Sequence, residues 1–399
     1  MELKPGYKQT EVGVIPEDWA VEPIGGAFDI CNHLRLPISQ KAREKMAGPY
    51  PYYGPTNIQG YINEYRVEGE YALIGEDGDH FLKWRDSTMT LLVRGKFNVN
   101  NHAHLIKGSK NLTTWFYYFY AHRDLTPYLT RQGAGRYKLT KRTLISIPCA
   151  LPLLAEQRAI AAALSDVDAL IASLNKLIAK KRDIKRAAMQ QLLTGKRRLP
   201  GFRGEWSMKP LVGIAEVDPE NLGSDTDLAY AFNYISLEQV DAGRLLGYSQ
   251  QKFGTAPSRA RRVLRFGDVL MSTVRPYLMA HLLYLDQVKS AVCSTGFAVL
   301  RSKPGCADPA FLFYQLFGNV VNKQIEKTLA GSNYPGINSG DVKIIEIPCP
   351  PGYEEQTAIA AVLSDMDAEI TALEVRRDKT KLLKQGMMQE LLTGRIRLL

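Results

Sequence analysis

Apolar residues recur at spacings of three and four in two stretches of this chain, and the two stretches match. Ile160, Leu164, Val167, Ile171, Leu174, Ile178 and Ile184, with Leu192 near the end, mark the first; Ile359, Leu363, Met366, Ile370, Leu373, Leu383, Met387 and Leu391 mark the second. Such spacing predicts two long helices, each carrying a coiled-coil seam. Residues 156–171 read EQRAIAAALSDVDALI and residues 355–370 read EQTAIAAVLSDMDAEI, an offset of 199 that also carries MQQLLTG at 189 onto MQELLTG at 388. Lys181 and Thr380 interrupt the seam at matched points, where a polar residue fixes register or faces solvent. Both helices should stop at Thr-Gly, with Gly195 and Gly394 supplying the terminating conformation. At about 1.5 Å per residue, some forty residues make a rod of roughly 60 Å. Neither stripe buries itself, so the economical arrangement packs the two helices together, parallel or antiparallel; the alternative packs each on its own domain.

The intervening segments, about 1–146 and 200–345, share a skeleton and little else. Each opens with Trp-x-x-x-Pro-apolar, at Trp19 and at Trp206. A strand and turn follow (YALIGEDGDH from Tyr71, GDVLMSTVRPY from Gly267), then a second strand (NNHAHLIK from Asn100, STGFAVLR from Ser294) and an aromatic-rich helix (TTWFYYFYAHR, DPAFLFYQLFGNV). Each closes with a Gly-rich, Tyr-containing loop, GAGRYKLT from Gly133 and GSNYPGIN from Gly331, that leads to an Ile-Pro-Cys strand. The aromatic run Trp115–Tyr120 reads as core rather than a base-stacking platform. The expected fold class is α+β: two α/β domains separated by two long helices packed as a coiled coil, with an internal pseudo-two-fold repeat. The boundaries fall at 1–150, 151–199, 200–350 and 351–399.

Composition adds a partner class. Of 399 residues, 45% are hydrophobic and 23% charged, which suits a globular protein of two or more domains. Lys and Arg number 51 against 41 acids, a net charge of +10 that favours a polyanion such as nucleic acid. No run approaches the roughly 20 apolar residues of a membrane span, and the start is too polar for a signal peptide, so a cytoplasmic location with no membrane partner is expected. Five cysteines without a C-x-x-C pair indicate reduced thiols, and His102 with His104 lacks companions for a metal set, so no metal is expected.

Diverged side chains on a repeated scaffold suit readers of different DNA sequences, because base edges are read by particular side chains while the core needs only shape. The DNA-contact candidates are Arg94, Lys96, Arg131, Arg136, Tyr137 and Lys138 in the first segment, with Lys141 and Arg142 beside them. In the second they are Arg259, Arg261, Arg262 and Arg275, with Arg265, and the loop residues Asn333 and Tyr334. Asp166, Asp168, Asp365 and Asp367 are not needed for an apolar seam, and their repetition makes them candidates for docking a repeated partner. No catalytic residue is expected. There is no phosphate loop and no G-x-G-x-x-G after a strand. Asp308-Pro309-Ala310-Phe311 departs from an adenine methyltransferase pocket and reads as a helix start with Pro in the first turn. The acidic turn Glu76, Asp77, Asp79 imitates a nuclease site only weakly.

The two A-I-A-x-x-L-S-D-x-D-x-x-I helices, the M-Q-x-L-L-T-G ends, the GKRRLPGFRGEW passage, the TEVGVIPEDW opening and the I-P-C strands together resemble the specificity subunit of a type I restriction-modification system over essentially the whole chain. The resemblance implies that 1–150 and 200–350 are target recognition domains, one per half of an asymmetric bipartite site in double-stranded DNA. It implies that 151–199 and 351–399 are the family's conserved helical regions, which set the half-site spacing. Two methyltransferase subunits, and through them restriction subunits, are the implied protein partners. S-adenosylmethionine, ATP and Mg²⁺ belong by the same implication to those partners, with no cofactor in this chain. The target adenines would be flipped into the methyltransferase subunits. Ten basic against four acidic residues in 152–199, but seven against eight in 353–399, leave the two docking surfaces unequal in charge. The competing readings are a self-sufficient modification enzyme or nuclease and a coiled-coil scaffold with no DNA role.

Overall fold

The computed structural model describes residues 4–131, 136–286, 288–329 and 335–398. They form two units. The first comprises residues 1–174 and 376–399, the second 175–375. Each therefore combines one globular segment with parts of both long helices, Leu154–Leu192 and Tyr353–Leu391, which have 39 residues each.

In the first unit a six-stranded sheet runs in the order Phe28–Ile30, Ala103–Gly108, Val67–Gly75, Thr90–Val99, Ala47–Tyr53, Ile58–Ile62. Val67–Gly75 is the long central strand because its residues from Tyr71 onward are buried, so it has no solvent face to alternate with. Thr113–Tyr120 covers the sheet with its aromatic run. Trp19 and Trp115 meet edge to face with centroids 5.6 Å apart, a geometry that adds roughly 0.5–1.5 kcal/mol beyond burial. The aromatic run is thus core, as its pattern suggested.

The second unit splits its strands into two four-stranded sheets. One is Ala215–Val217, Phe297–Ser302, Val269–Ser272, Leu282–Leu283; the other is Ser249–Lys252, Ala231–Ile235, Ala291–Ser294, Ala260–Val263. The first three strands of the former repeat the first three of the other unit's sheet in the same order. Pro309–Leu316 takes the place of the aromatic helix, and the Asp308 carboxylate accepts from the Phe311 N–H, so this motif is an N-cap with Pro in the first turn. The Ile-Pro-Cys strands pair with the Trp-Pro openings in both units: Ala20–Pro23 with Pro148–Leu151, and Ser207–Pro210 with Glu346–Cys349.

Within each unit the two helical segments run antiparallel. In the first, Glu156 meets Arg397 and Asp168 meets Lys384; in the second, Glu355 meets Arg198 and Asp367 meets Lys185, so numbers fall on one segment as they rise on the other. Ile160 and Leu164 share a core with Met388, Leu391 and Leu392, and Ile359 and Leu363 share one with Leu192 and Leu193. Two predicted seam positions are corrected. Ile184 and Leu383, at matched places, are 44% and 60% exposed. The adjoining Lys185 and Lys384 turn inward to Asp367 and Asp168, which rotates their neighbours about 100° toward solvent. Gly195 and Gly394 both sit at φ +68°, and a Cβ would lie 2.9 Å from Trp206 at the former and 2.4 Å from Pro16 at the latter, so both backbone and space demand glycine.

Candidate nucleic-acid interface and helical clamps

The repeated S-D-x-D motif acquires a physical reason. Tyr118, on the aromatic helix, donates from its hydroxyl to Asp168 Oδ2 at 3.0 Å and lies 3.1 Å from the Ser165 hydroxyl, while Lys384 Nζ sits 2.7 Å from Asp168 Oδ1 and 5.5 Å from the Tyr118 ring. The second unit repeats the cluster: Tyr314 donates to Asp367 at 2.8 Å beside Ser364 at 3.3 Å, with Lys185 Nζ 2.5 Å from the carboxylate and 5.1 Å from the ring. Burial is the main cause that pushes both phenols well above the usual tyrosine range, so they stay protonated donors. Asp168 and Asp367, candidate docking residues by sequence, are engaged inside the fold. Asp166 and Asp365 are exposed and make no hydrogen bond or ion pair among the described residues.

A second clamp repeats at the helix ends. Glu156, 2% exposed, accepts from Trp19 Nε1 at 3.1 Å and from Arg397 at 2.6 Å, and Arg397 also forks onto Asp18. Glu355, 1% exposed, takes the bidentate Arg198 at 2.9 and 2.5 Å. Trp206, the counterpart of Trp19, keeps its Nε1 buried without a partner among the described residues. These pairs were visible as identities at offset 199, Glu156 with Glu355 and Arg198 with Arg397, but nothing in the spacing showed which residue each would meet. Glu374 joins Arg182 and Arg244 within the second unit; burial raises its carboxyl, and the two guanidiniums more than offset this and hold it below the ordinary range.

The DNA-contact candidates divide by what already holds them. Arg94 donates to Glu70 at 2.7 Å from an exposed cross-strand position, Lys96 lies 4.5 Å from the Tyr65 ring, and Lys138 sits 3.5 Å from Glu76. An exposed pair such as Arg94–Glu70 is worth about 0–1 kcal/mol, so a phosphate exchanges with it at little cost. Arg131 stacks on Tyr137 at 5.1 Å between two short antiparallel strands, and Arg136 is exposed beside a cleft. Lys141 and Arg142 are exposed in the first turn of Lys141–Ser146. In the second unit Arg259 is exposed, Arg261 stacks on Phe253 at 4.5 Å, and Arg265 pairs with Glu220 at 2.8 Å. Arg262 is different: its guanidinium is buried on Asp218 at 2.5 Å and on Ser339 at 3.3 Å, which fixes it to the fold rather than to a ligand. Arg275 is half-buried on a left-handed turn. Asn333 and Tyr334 lie outside the described residues.

The acidic turn is also occupied by structure. Arg35 holds Glu76 at 2.6 Å, and Asp77 accepts from His102 at 2.8 Å. His104 is buried; its Nε2 donates to Leu139 O and its Nδ1 accepts from Asn32 Nδ2, both at 2.8 Å, and burial lowers its pKa. Among the described residues no group of His, Cys, Asp and Glu is placed to hold a metal, and no helix is long and apolar enough to cross a membrane.

Comparison with known proteins agrees with this architecture. The family model of the type I restriction modification DNA specificity domain matches residues 16–181 and again 267–382. The MjaVIII specificity subunit of a type I restriction enzyme from Methanocaldococcus jannaschii is 24% identical over 407 residues, 96% of this chain and 94% of the relative. A putative type I restriction enzyme specificity subunit of Haemophilus influenzae is 37% identical over 150 residues, 37% of each chain. The crystal structure of the S subunit of a type I system from M. genitalium superposes with a TM-score of 0.65 at 14% identity, covering 98% of both chains. Two matches of one specificity-domain model, each on a globular segment and its following helix, place this chain in the family of type I restriction-modification DNA specificity subunits.

Proposed function

We propose that this chain reads an asymmetric, bipartite site in double-stranded DNA, one half-site per recognition domain, and docks two methyltransferase subunits without catalysing a reaction itself. Restriction subunits would join through the methyltransferase, and S-adenosylmethionine, ATP and Mg²⁺ would be bound by those partners. The domain limits carried into this reading are 1–150 and 200–350 for recognition and 151–199 and 351–399 for the helical regions. The observation that carries it is the contrast between the repeated clamps, Tyr118–Asp168–Lys384 and Tyr314–Asp367–Lys185, and the unmatched basic residues around each sheet.

Docking is assigned to what repeats and stays exposed: Asp166 with Leu383 in the first unit, Asp365 with Ile184 in the second. Affinity for DNA would come from phosphate contacts by Arg94, Lys96, Arg131, Lys138, Arg259 and Arg261, each adding about −0.9 to the slope of log K against log salt. Arg262 is left out because its charge is already buried on Asp218. The test is native mass spectrometry of the chain mixed with methyltransferase subunits and a methylable duplex, combined with a methylation assay of the chain alone. Two methyltransferase subunits per chain and no turnover by the chain alone are expected; turnover without a partner, or a single docked subunit, overturns the reading.

A further inference from the structure

One backbone junction recurs in both units with unrelated side chains. In the first, the loop after Val67–Gly75 meets the segment after 132–135: Asp77 bridges Lys138, the Gly78 N–H donates to Tyr137 O at 3.0 Å, and the Leu139 N–H donates to Glu76 O at 2.7 Å. In the second, the loop after Val269–Ser272 meets the segment after 330–334 in the same way: Val274 bridges Gly336, the Arg275 N–H donates to Pro335 O at 2.9 Å, and the Ile337 N–H donates to Thr273 O at 2.9 Å. Each segment then caps a helix, through Thr140 and Asn338. Glu76-Asp77-Gly78 thus stands where Thr273-Val274-Arg275 stands, acidic against basic on the same main chain.

We propose that this junction is the base-reading element of each unit, with Asn101 and Arg136 reading one half-site of duplex DNA and Arg275 the other. The proposal rests on the two-site reading given above and names the residues that carry it. In the first unit the junction borders an open cleft of about 490 Å³ whose lining includes Asn101, His102, Gln59 and Arg136. The Asn101 side chain is exposed and makes no hydrogen bond among the described residues. Amides pair with the adenine N6 and N7 edge and guanidiniums with guanine O6 and N7, so this lining suits base edges rather than the largely apolar wall that a small ligand needs.

In the second unit the backbone is strained at two residues. Arg275 has φ +49° and Met279 φ +51°, left-handed values that strain any residue but glycine. The matched residue of the first unit is Gly78, at φ +130°. An arginine kept where glycine fits without strain points to a use for its side chain. Between the two strained residues Tyr277 and Leu278 stand 56% and 61% exposed, an apolar edge of the kind that packs against base steps.

Arg275→Gly and Asn101→Ala test this in complexes with the methyltransferase subunits, by mapping methylated adenines on a random-sequence duplex library. Arg275→Gly removes the side chain and relieves the backbone strain; a change confined to one position of one half-site separates reading from folding, because a folding defect weakens methylation of every sequence alike. Each variant should lose roughly ten- to a hundredfold of its discrimination at one position of one half-site, the other half-site unchanged. An unchanged motif in both variants, or a uniform loss across all sequences with a reduced salt slope, overturns the proposal. A wild-type complex that methylates no bipartite motif would instead contradict the two-site reading itself.

Discussion

Tyr314 and Tyr118 show why single residues of the repeat are kept. Each phenol donates to a carboxylate that is also held by a lysine, so its removal leaves Asp367 or Asp168 short of one hydrogen bond to a charged group. Tyr314→Phe should lower stability by about 1–2 kcal/mol. In a double-mutant cycle with Asp367→Asn the two losses should fall short of additive. His281 sets an acid limit. It is fully buried, accepts from the Ser272 N–H on Nδ1 at 3.1 Å, and burial lowers its pKa from 6.5 to about 4. Its folded pKa lies below the unfolded one, so its stabilising contribution is complete above pH 6.5, declines as pH falls, and levels off near pH 4. The loss over that window is about 3 kcal/mol. Denaturant titrations at pH 7 and pH 4.5 check it, and His281→Leu should flatten the difference while lowering stability at pH 7 through the orphaned Ser272 N–H. Neither the Tyr–Asp–Lys clusters nor the buried imidazole was legible beforehand, because each depends on partners about fifty or more residues away, or on a packing environment, that no periodicity encodes. The acidic pairs of the S-D-x-D motifs were legible as a repeat, but one member of each serves the fold.

At the scale of elements, the long helices were the most readable part of the chain, and they end at Leu192 and Leu391, three residues before the glycines expected to stop them. What spacing could not decide was which neighbour of a charged residue faces inward, and Ile184 and Leu383 fell on the wrong side of that decision. The strand order was legible only as a skeleton; the split of the second unit's strands into two sheets follows from pairings distant in sequence, such as Ala231–Ile235 with Ala291–Ser294. Two glycines of the helical regions should respond in opposite senses. Gly394→Ala, at φ +68° and against Pro16 and Trp19, should cost about 2 kcal/mol or more. Gly386→Ala, inside Tyr353–Leu391 with open space around its Cβ, should add about 0.5–1 kcal/mol. Chemical denaturation of both variants measures the contrast.

At the scale of the whole molecule, the two units are built differently: the second is one continuous stretch, 175–375, whereas the first is not. The first takes in 376–399, and Arg397 holds Glu156 and Asp18 there. Arg397→Ala should cost about 3 kcal/mol. Hydrogen exchange should quicken around Trp19 and the start of Leu154–Leu192, with protection around Glu355 unchanged. Arg198→Ala should act on the second unit instead, and more severely, since Glu355 has no tryptophan donor to fall back on. That two recognition domains and two helices exist was legible from the duplication; that the first unit is completed by a distant segment was not, because an antiparallel and a parallel pairing of the helices share the same seam.

The central claim is a division of labour between units that repeat their clamps and differ in their reading surfaces. Replacing residues 26–146 with the matching segment of another specificity subunit, and mapping methylated adenines made by the reconstituted complex, tests it most directly. The account predicts that one half of the methylated motif changes to that of the donor while the other half stays as it was. A motif changed in both halves, or in neither while methylation persists, would contradict it.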